Sequence, residues 1–183
     1  MNKSILLNPD ELKITIDRLS CQLVENHGDF SNTVLVGIQP RGKYLCSRIV
    51  KTLKTQYDIK EPTFGLLDIT FYRDDFRRNK KILKPNKTDF LLSIESKKVV
   101  FIDDVLFTGR TIRAALTAIE SFGRPKSIEL LILIDRRFSR ELPIQPDYKG
   151  IQVDVYKNQR AIVDWDDKGT NSYAYISKKI DNE

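Results

Sequence analysis

At 183 residues, with 40% apolar and 31% charged side chains, the chain has the size and composition of one soluble domain with a single substantial core. No apolar run approaches the roughly 18 residues of a membrane span, and the N-terminal MNKSILLNPDELK lacks the apolar core of a secretory signal, so a cytoplasmic location and no membrane partner are expected. The net charge of +6 favours anionic partners such as nucleotides, phosphates or RNA without choosing among them, while Cys21 and Cys46 form no CxxC pair and His27 is the only histidine. That inventory counts against a disulfide framework, a zinc site and any Ser-His-Asp or Cys-His mechanism.

The first element is a helix in NPDELKITIDRLSCQLVENHG. Asn8 can cap it, Pro9 suits the first helical position, and Glu11 stands where a capping box needs it. Leu12, Ile16, Leu19 and Leu23 make one apolar stripe, which reads as core or subunit interface, and Gly28 follows the end. TVLVGI, Thr33 to Ile38, is a β-branched strand, and QPRG turns the chain into a helical pattern over about 43–57. TFGLLDITFY reads as the next strand. A polar, basic stretch over 73–97 follows, long enough for its loop to be functional or disordered.

VVFID is another apolar strand, RTIRAALTAIESFG a helix ended by Gly123, and SIELLILID another buried strand. Strands alternating with helices, each strand a nearly continuous apolar run, predict an α/β fold with a mostly parallel central sheet covered on both faces. Beyond Asp135 the pattern loosens into short pieces, read as an appendage to the main sheet.

In open α/β sheets, ligands bind at the carboxyl ends of the strands. GIQPRG, LDITFYRDD, IDDVLFTGRT and IDRR all fall there. TGRT at the start of a helix offers free backbone amides, two hydroxyls and the positive helix end, which suit a phosphate dianion. Gly109 permits close backbone approach. Asp103 and Asp104 just upstream would repel that phosphate unless something lies between, and a ribose fits, because carboxylates accept hydrogen bonds from vicinal hydroxyls. Neither GxxxxGK[ST] nor GxGxxG occurs.

VVFIDDVLFTGRT resembles the PRPP-binding signature of type I phosphoribosyltransferases. Together with VGIQPRG, LDITFYRDD and DRRFSRELPI, in that context, the chain resembles the PyrR family, pyrimidine-operon attenuation regulators that also act as uracil phosphoribosyltransferases. The resemblance runs from the first helix to about Tyr148 and implies one domain over 1–183, with a flexible lid at about 73–97, a divergent part at 149–183, and a small hood built from the terminal segments. It implies that Asp103 and Asp104 hold the ribose hydroxyls of PRPP, and that Val105, Leu106, Phe107, Thr108, Gly109, Arg110 and Thr111 cradle the 5′-phosphate. Gln39, Pro40, Arg41 and Gly42 match the pyrophosphate loop, and Pro40 makes a cis Gln39–Pro40 bond affordable, with trans left open. Arg73 and Asp104 take the catalytic roles, with Arg77, Arg78, Lys80 and Lys81 as possible helpers. Phe107 and Val163 would meet the base, with Trp165 near them or in the core, and Asp103, Asp104 and Asp135 would serve Mg²⁺. Asp135 and Arg136 match a position near base and metal.

The implied activity is Mg²⁺-dependent transfer of the phosphoribosyl group of PRPP to a base, uracil first, giving UMP and pyrophosphate. Purine members of the superfamily commonly carry an aspartate where this chain has Phe107, which favours a pyrimidine. The alternatives are a uridine-nucleotide-sensing RNA-binding regulator and a transferase for another base. Against RNA stand Asp17 and Cys21 in DRLSC, where regulators show a Thr-Arg-Ile-Ala-His pattern, Gln145 before Pro146, and the absent GKNIPTS segment; Arg18 and Arg140 are retained. A homodimer or a multiple of it is the implied assembly.

Overall fold

A computed structural model describes residues 3–73, 93–156, 158–167 and 170–178. The elements follow as β1 (Lys3–Leu7), α1 (Pro9–His27), β2 (Thr33–Ile38), α2 (Gly42–Gln56), β3 (Thr63–Leu67), β4 (Lys98–Leu106), α3 (Arg110–Ile119), β5 (Ser127–Arg137), β6 (Tyr148–Asp154), β7 (Gln159–Asp164) and β8 (Tyr173–Lys178). Short 3-10 turns cover Thr70–Tyr72 and Glu120–Phe122.

Five parallel strands form the central sheet in the order β3-β2-β4-β5-β6. Alternation of side chains explains why these strands are apolar throughout. Val34, Val36, Ile38, Val99 and Phe101 face the side covered by α3, while Leu35, Val100, Ile102, Leu131 and Leu133 face α1 and α2. The expected stripe of α1, Leu12, Ile16, Leu19 and Leu23, is buried in the second of these cores. Asn8 Oδ1 accepts from the Glu11 amide at 2.9 Å and Glu11 returns a bond to the Asn8 amide, the reciprocal cap read from the sequence.

The chain runs from β2 to β3 on one side and then crosses to β4 on the other. The order therefore reverses between β2 and β4, and the crevice at their carboxyl ends is where such sheets bind ligands. A separate antiparallel sheet, β1-β8-β7, forms the hood, and β7 packs against β4.

Three expectations need correction. TFGLLDITFY is not one strand: β3 ends at Leu67, and Asp68 Oδ1 accepts from the Thr70 amide at 2.8 Å and the Thr70 hydroxyl at 2.6 Å, curling the chain into the turn before Arg73. Residues after Asp135 are not all appendage, because β6 pairs in parallel with β5 as the edge of the main sheet. RTIRAALTAIESFG is α-helical only to Ile119 and ends in a 3-10 turn before Gly123.

His27 lies at the opposite, amino-terminal edge of the sheet. Its Nδ1 pairs with Thr33 Oγ1 at 3.0 Å and its Nε2 with Glu129 Oε2 at 3.1 Å and the Tyr148 hydroxyl at 3.2 Å, so it tethers α1 to three strand starts. Burial lowers its pKa from the ordinary 6.5, outweighing the opposite pull of Glu129. Above about pH 6.5 folded and unfolded states both hold it neutral; below, the unfolded chain takes up a proton that folded His27 resists. Stability is therefore lost as pH falls from about 6.5 toward the lower folded value. Urea unfolding midpoints should drop between pH 7.5 and about 5.5 in the wild type, and His27→Gln should flatten that part of the slope.

Candidate active site

β4 carries the decisive residues. Asp103 and Asp104 occupy its carboxyl end with only 8% and 4% of their surface exposed. Two adjacent buried carboxylates repel each other, and the consequence is visible at Asp103. Burial, and then the charge of Asp104, raises its pKa well above the carboxylate range, against weaker pulls from the Asp104 amide, Arg41 and Arg73. The Asp104 amide donates to Asp103 Oδ1 at 2.9 Å. On Asp104 Oδ2 two donors converge, Arg41 Nε at 2.8 Å and Trp165 Nε1 at 3.4 Å.

Arg41 follows a cis Gln39–Pro40 bond and precedes the first residue of α2. Its Nη2 also donates to the Val163 carbonyl of the hood. Gly42 is required here by contact: a Cβ would stand 2.3 Å from the Ile102 carbonyl and 3.1 Å from the Asp103 Cα. The start of α2 thus lies directly against the carboxylate pair.

Beyond β4 the chain turns at Gly109, whose φ of 93° favours glycine, and enters α3. The segment 140–144 braces this turn. Arg140 donates to the Phe107 carbonyl and pairs with Asp135, the Glu141 and Leu142 amides donate to the Thr108 carbonyl at 3.0 and 3.3 Å, and Arg110 pairs with Glu141 at 2.6 Å. A cavity of about 500 Å³ opens over the turn, lined by Asp103, the run from Val105 to Thr111, Glu141 and Arg73.

A second cavity, of about 700 Å³, lies on the other side of the carboxylates. Arg41, Asp104, Phe107, Arg136 and the β7 residues from Gln159 to Ile162 line it. Phe107 is half-exposed, with the Arg136 guanidinium 4.0 Å from its ring centroid. Arg136 is 6% exposed; its Nη2 donates to the Gln159 carbonyl at 3.5 Å, and its Nε is buried with no hydrogen-bond partner. Val105 and Phe107 belong to both cavities, which flank the Asp103–Asp104 pair.

A phosphoribosyl transferase domain model matches residues 2–168. The chain is 44% identical over 165 residues to the bifunctional protein PyrR of Picosynechococcus, covering 89% of this chain and 92% of that one. It is 40% identical over 180 residues to the PyrR protein of Enterococcus faecalis, covering 97% and 98%. The chain belongs to the PyrR family of type I phosphoribosyltransferases. The hypoxanthine phosphoribosyltransferase of Trypanosoma cruzi superposes with a TM-score of 0.68, covering 96% of this chain and 97% of its own at 17% identity, which is a likeness of fold.

Of the residues the sequence singled out in this PyrR-family chain, Arg41, Arg73 and Asp103 to Thr111 line the two cavities, while Gln39, Pro40 and Gly42 flank Arg41 in the loop before α2. Two do not stand as expected. The Val163 side chain is fully buried in the core while its carbonyl accepts from Arg41, and Ala161 and Ile162 line the cavity in its place. Asp135 is paired with Arg140. Among the described residues no three His, Cys, Asp or Glu side chains form a metal-holding group. Most of the expected lid, 74–92 with Arg77, Arg78, Lys80 and Lys81, lies outside the described residues.

Sequence reasoning missed Glu141 and Gln159. Nothing local marks Gln159 as a neighbour of Phe107, since β7 reaches the site through pairing with β8 and β1.

Gly109→Ala would force a Cβ to within 3.2 Å of Ile144 Cδ1 on a backbone with positive φ. We expect a loss of about 1–2 kcal/mol, hence a melting temperature lower by roughly 2–8 °C, measured by thermal unfolding.

Proposed function

We propose that the protein transfers the 5-phosphoribosyl group of PRPP to uracil, releasing pyrophosphate and UMP. The observation that carries this reading is the pair of buried aspartates flanked by two cavities, one over an amide-rich helix start and one beside an aromatic ring and a buried guanidinium. A sugar, a phosphate and a base need that succession of surroundings. The domain over 1–183 acts as one phosphoribosyltransferase unit.

Asp103 and Asp104 accept the ribose hydroxyls, while the turn from Thr108 to Thr111 donates amides and hydroxyls to the 5′-phosphate. Uracil lies against Phe107 and Ala161, with the Arg136 side chain lining the same cavity beside the Phe107 ring. In the reaction uracil N1 bonds to C1 of the ribose, the C1–O bond to pyrophosphate breaks, and the N1 proton passes to solvent. Positive charge develops on the sugar and negative charge on the departing pyrophosphate. The buried carboxylates stabilise the first, and Arg41 and Arg73 the second. Hard carboxylate oxygens that repel each other suit Mg²⁺, which Asp103 and Asp104 would hold, directly or through water. When bound, that ion would neutralise charge developing on the departing pyrophosphate.

The alternative is an RNA-binding regulator, and the relatives carry the name bifunctional. In this chain the two arginines retained from the regulators' pattern are engaged internally. Arg18 Nη2 donates to the Gly150 carbonyl at 2.5 Å, and Arg140 holds Asp135 and the Phe107 carbonyl. A homodimer or its multiple remains the assembly that the family resemblance implies, and a cytoplasmic location accords with the lack of a membrane-crossing helix among the described residues.

The test is nucleotide formation from PRPP and Mg²⁺ with uracil, guanine, hypoxanthine, xanthine and orotate side by side. UMP should form with uracil alone, and Asp104→Asn and Arg73→Ala should each lower turnover by roughly 100-fold or more. No turnover with any base, with PRPP binding intact, would overturn the enzymatic reading and leave RNA gel shifts with and without UMP to test the regulator.

A further inference from the structure

Asp104 has a partner that the chemistry above does not use. Trp165, the only tryptophan in the chain, directs its indole N–H at Asp104 Oδ2 from the end of hood strand β7. Its ring is held in place by α2: Tyr44 stacks on it at 6.2 Å between centroids with planes 21° apart, and the Arg48 guanidinium lies 4.6 Å from the ring centre. Arg48 is itself fixed by the Asp166 carbonyl at 2.7 Å and the Ser172 hydroxyl at 2.8 Å, which also accepts from the Asp166 amide. An indole placed this firmly, with a donor-only nitrogen 3.4 Å from a buried carboxylate oxygen, differs from a residue that merely fills space.

We propose that Trp165 is a positioning residue for Asp104, through which the hood sets the geometry of ribose recognition; this rests on the phosphoribosyl-transfer reading. Arg41 and Trp165 both act on Oδ2, so a ribose hydroxyl meets Oδ1. Arg41 is also the side chain assigned to pyrophosphate. When it turns to that charge, Asp104 loses its ionic partner, and the Trp165 N–H keeps the carboxylate oriented and its inner oxygen bonded.

The test combines kinetics with the emission of the single tryptophan. Trp165→Phe keeps an aromatic ring against Tyr44 and Arg48 and removes the donor together with the five-membered ring that carries it. It should raise the KM for PRPP about tenfold, leave the KM for uracil within about twofold, and hold the melting temperature within a few degrees. In an Asp104→Ala background, where no side-chain acceptor remains, the same change should alter PRPP affinity, measured by calorimetry, by less than about twofold. Wild-type tryptophan emission should shift on adding PRPP, and Asp104→Ala should abolish the shift. An unchanged KM for PRPP in Trp165→Phe, or an equal effect in both backgrounds, would overturn the proposal. Should Trp165→Phe melt far below the wild type, the emission response decides: its persistence in Asp104→Ala overturns the proposal as well. Wild-type protein that neither binds PRPP nor turns over would instead overturn the transfer reading itself.

Discussion

Two neighbouring carboxylates, buried at the end of a central strand, are a costly arrangement, and the rest of the site answers it. Asp103 resists ionisation because burial and Asp104 both work against its charge. Removing two charges from water is tolerated only where donors and positive groups converge on them. Here Arg41, Arg73, the Asp104 amide and the Trp165 indole supply that compensation from four separate stretches of chain. The pair is thus poised to accept hydrogen bonds and to gain from any cation brought near it.

The fold makes this convergence possible through one close contact and one late addition. Gly42 lets the start of α2 reach the backbone of β4, which a side chain would prevent, and so brings Arg41 within 2.8 Å of Asp104. The hood then closes over the switch point, placing the Val163 carbonyl and the Trp165 N–H on the same Arg41–Asp104 pair. On the far side, the segment 140–144 holds the turn before α3 in shape through bonds to the Thr108 and Phe107 carbonyls. Each half of the crevice is therefore shaped by a piece of chain that follows β5.

Those later pieces were the least legible in the sequence. The central strands were readable because both their faces are covered, which leaves unbroken apolar runs in TVLVGI and VVFID, and Asn8 with Glu11 announced the first helix by local chemistry. β6 is an edge strand whose burial is broken, so YKGIQVD lacked that signature. The hood depends on Lys3 to Leu7 pairing with Tyr173 to Lys178, contacts some 170 positions apart that no local pattern encodes. The candidate site divides along the same line: Gln39–Gly42 and Asp103–Thr111 were visible as compact strand-end motifs. Val163 reads from the sequence as a base contact, although its side chain is core, and Trp165 reads as either site or core because its partners Tyr44 and Asp104 lie far off in sequence.

The central claim is that the aspartate pair recognises a ribose whose phosphate sits on the turn beyond it. Calorimetric binding of UMP beside 2′-deoxy-UMP and uridine tests this most directly, because each analogue removes one of the two recognised groups. The account predicts that losing the 2′-hydroxyl weakens binding about tenfold or more, and that losing the phosphate weakens it at least as much. Equal affinity for UMP and 2′-deoxy-UMP would contradict it, since carboxylates buried at this cost would then have no hydroxyl to hold.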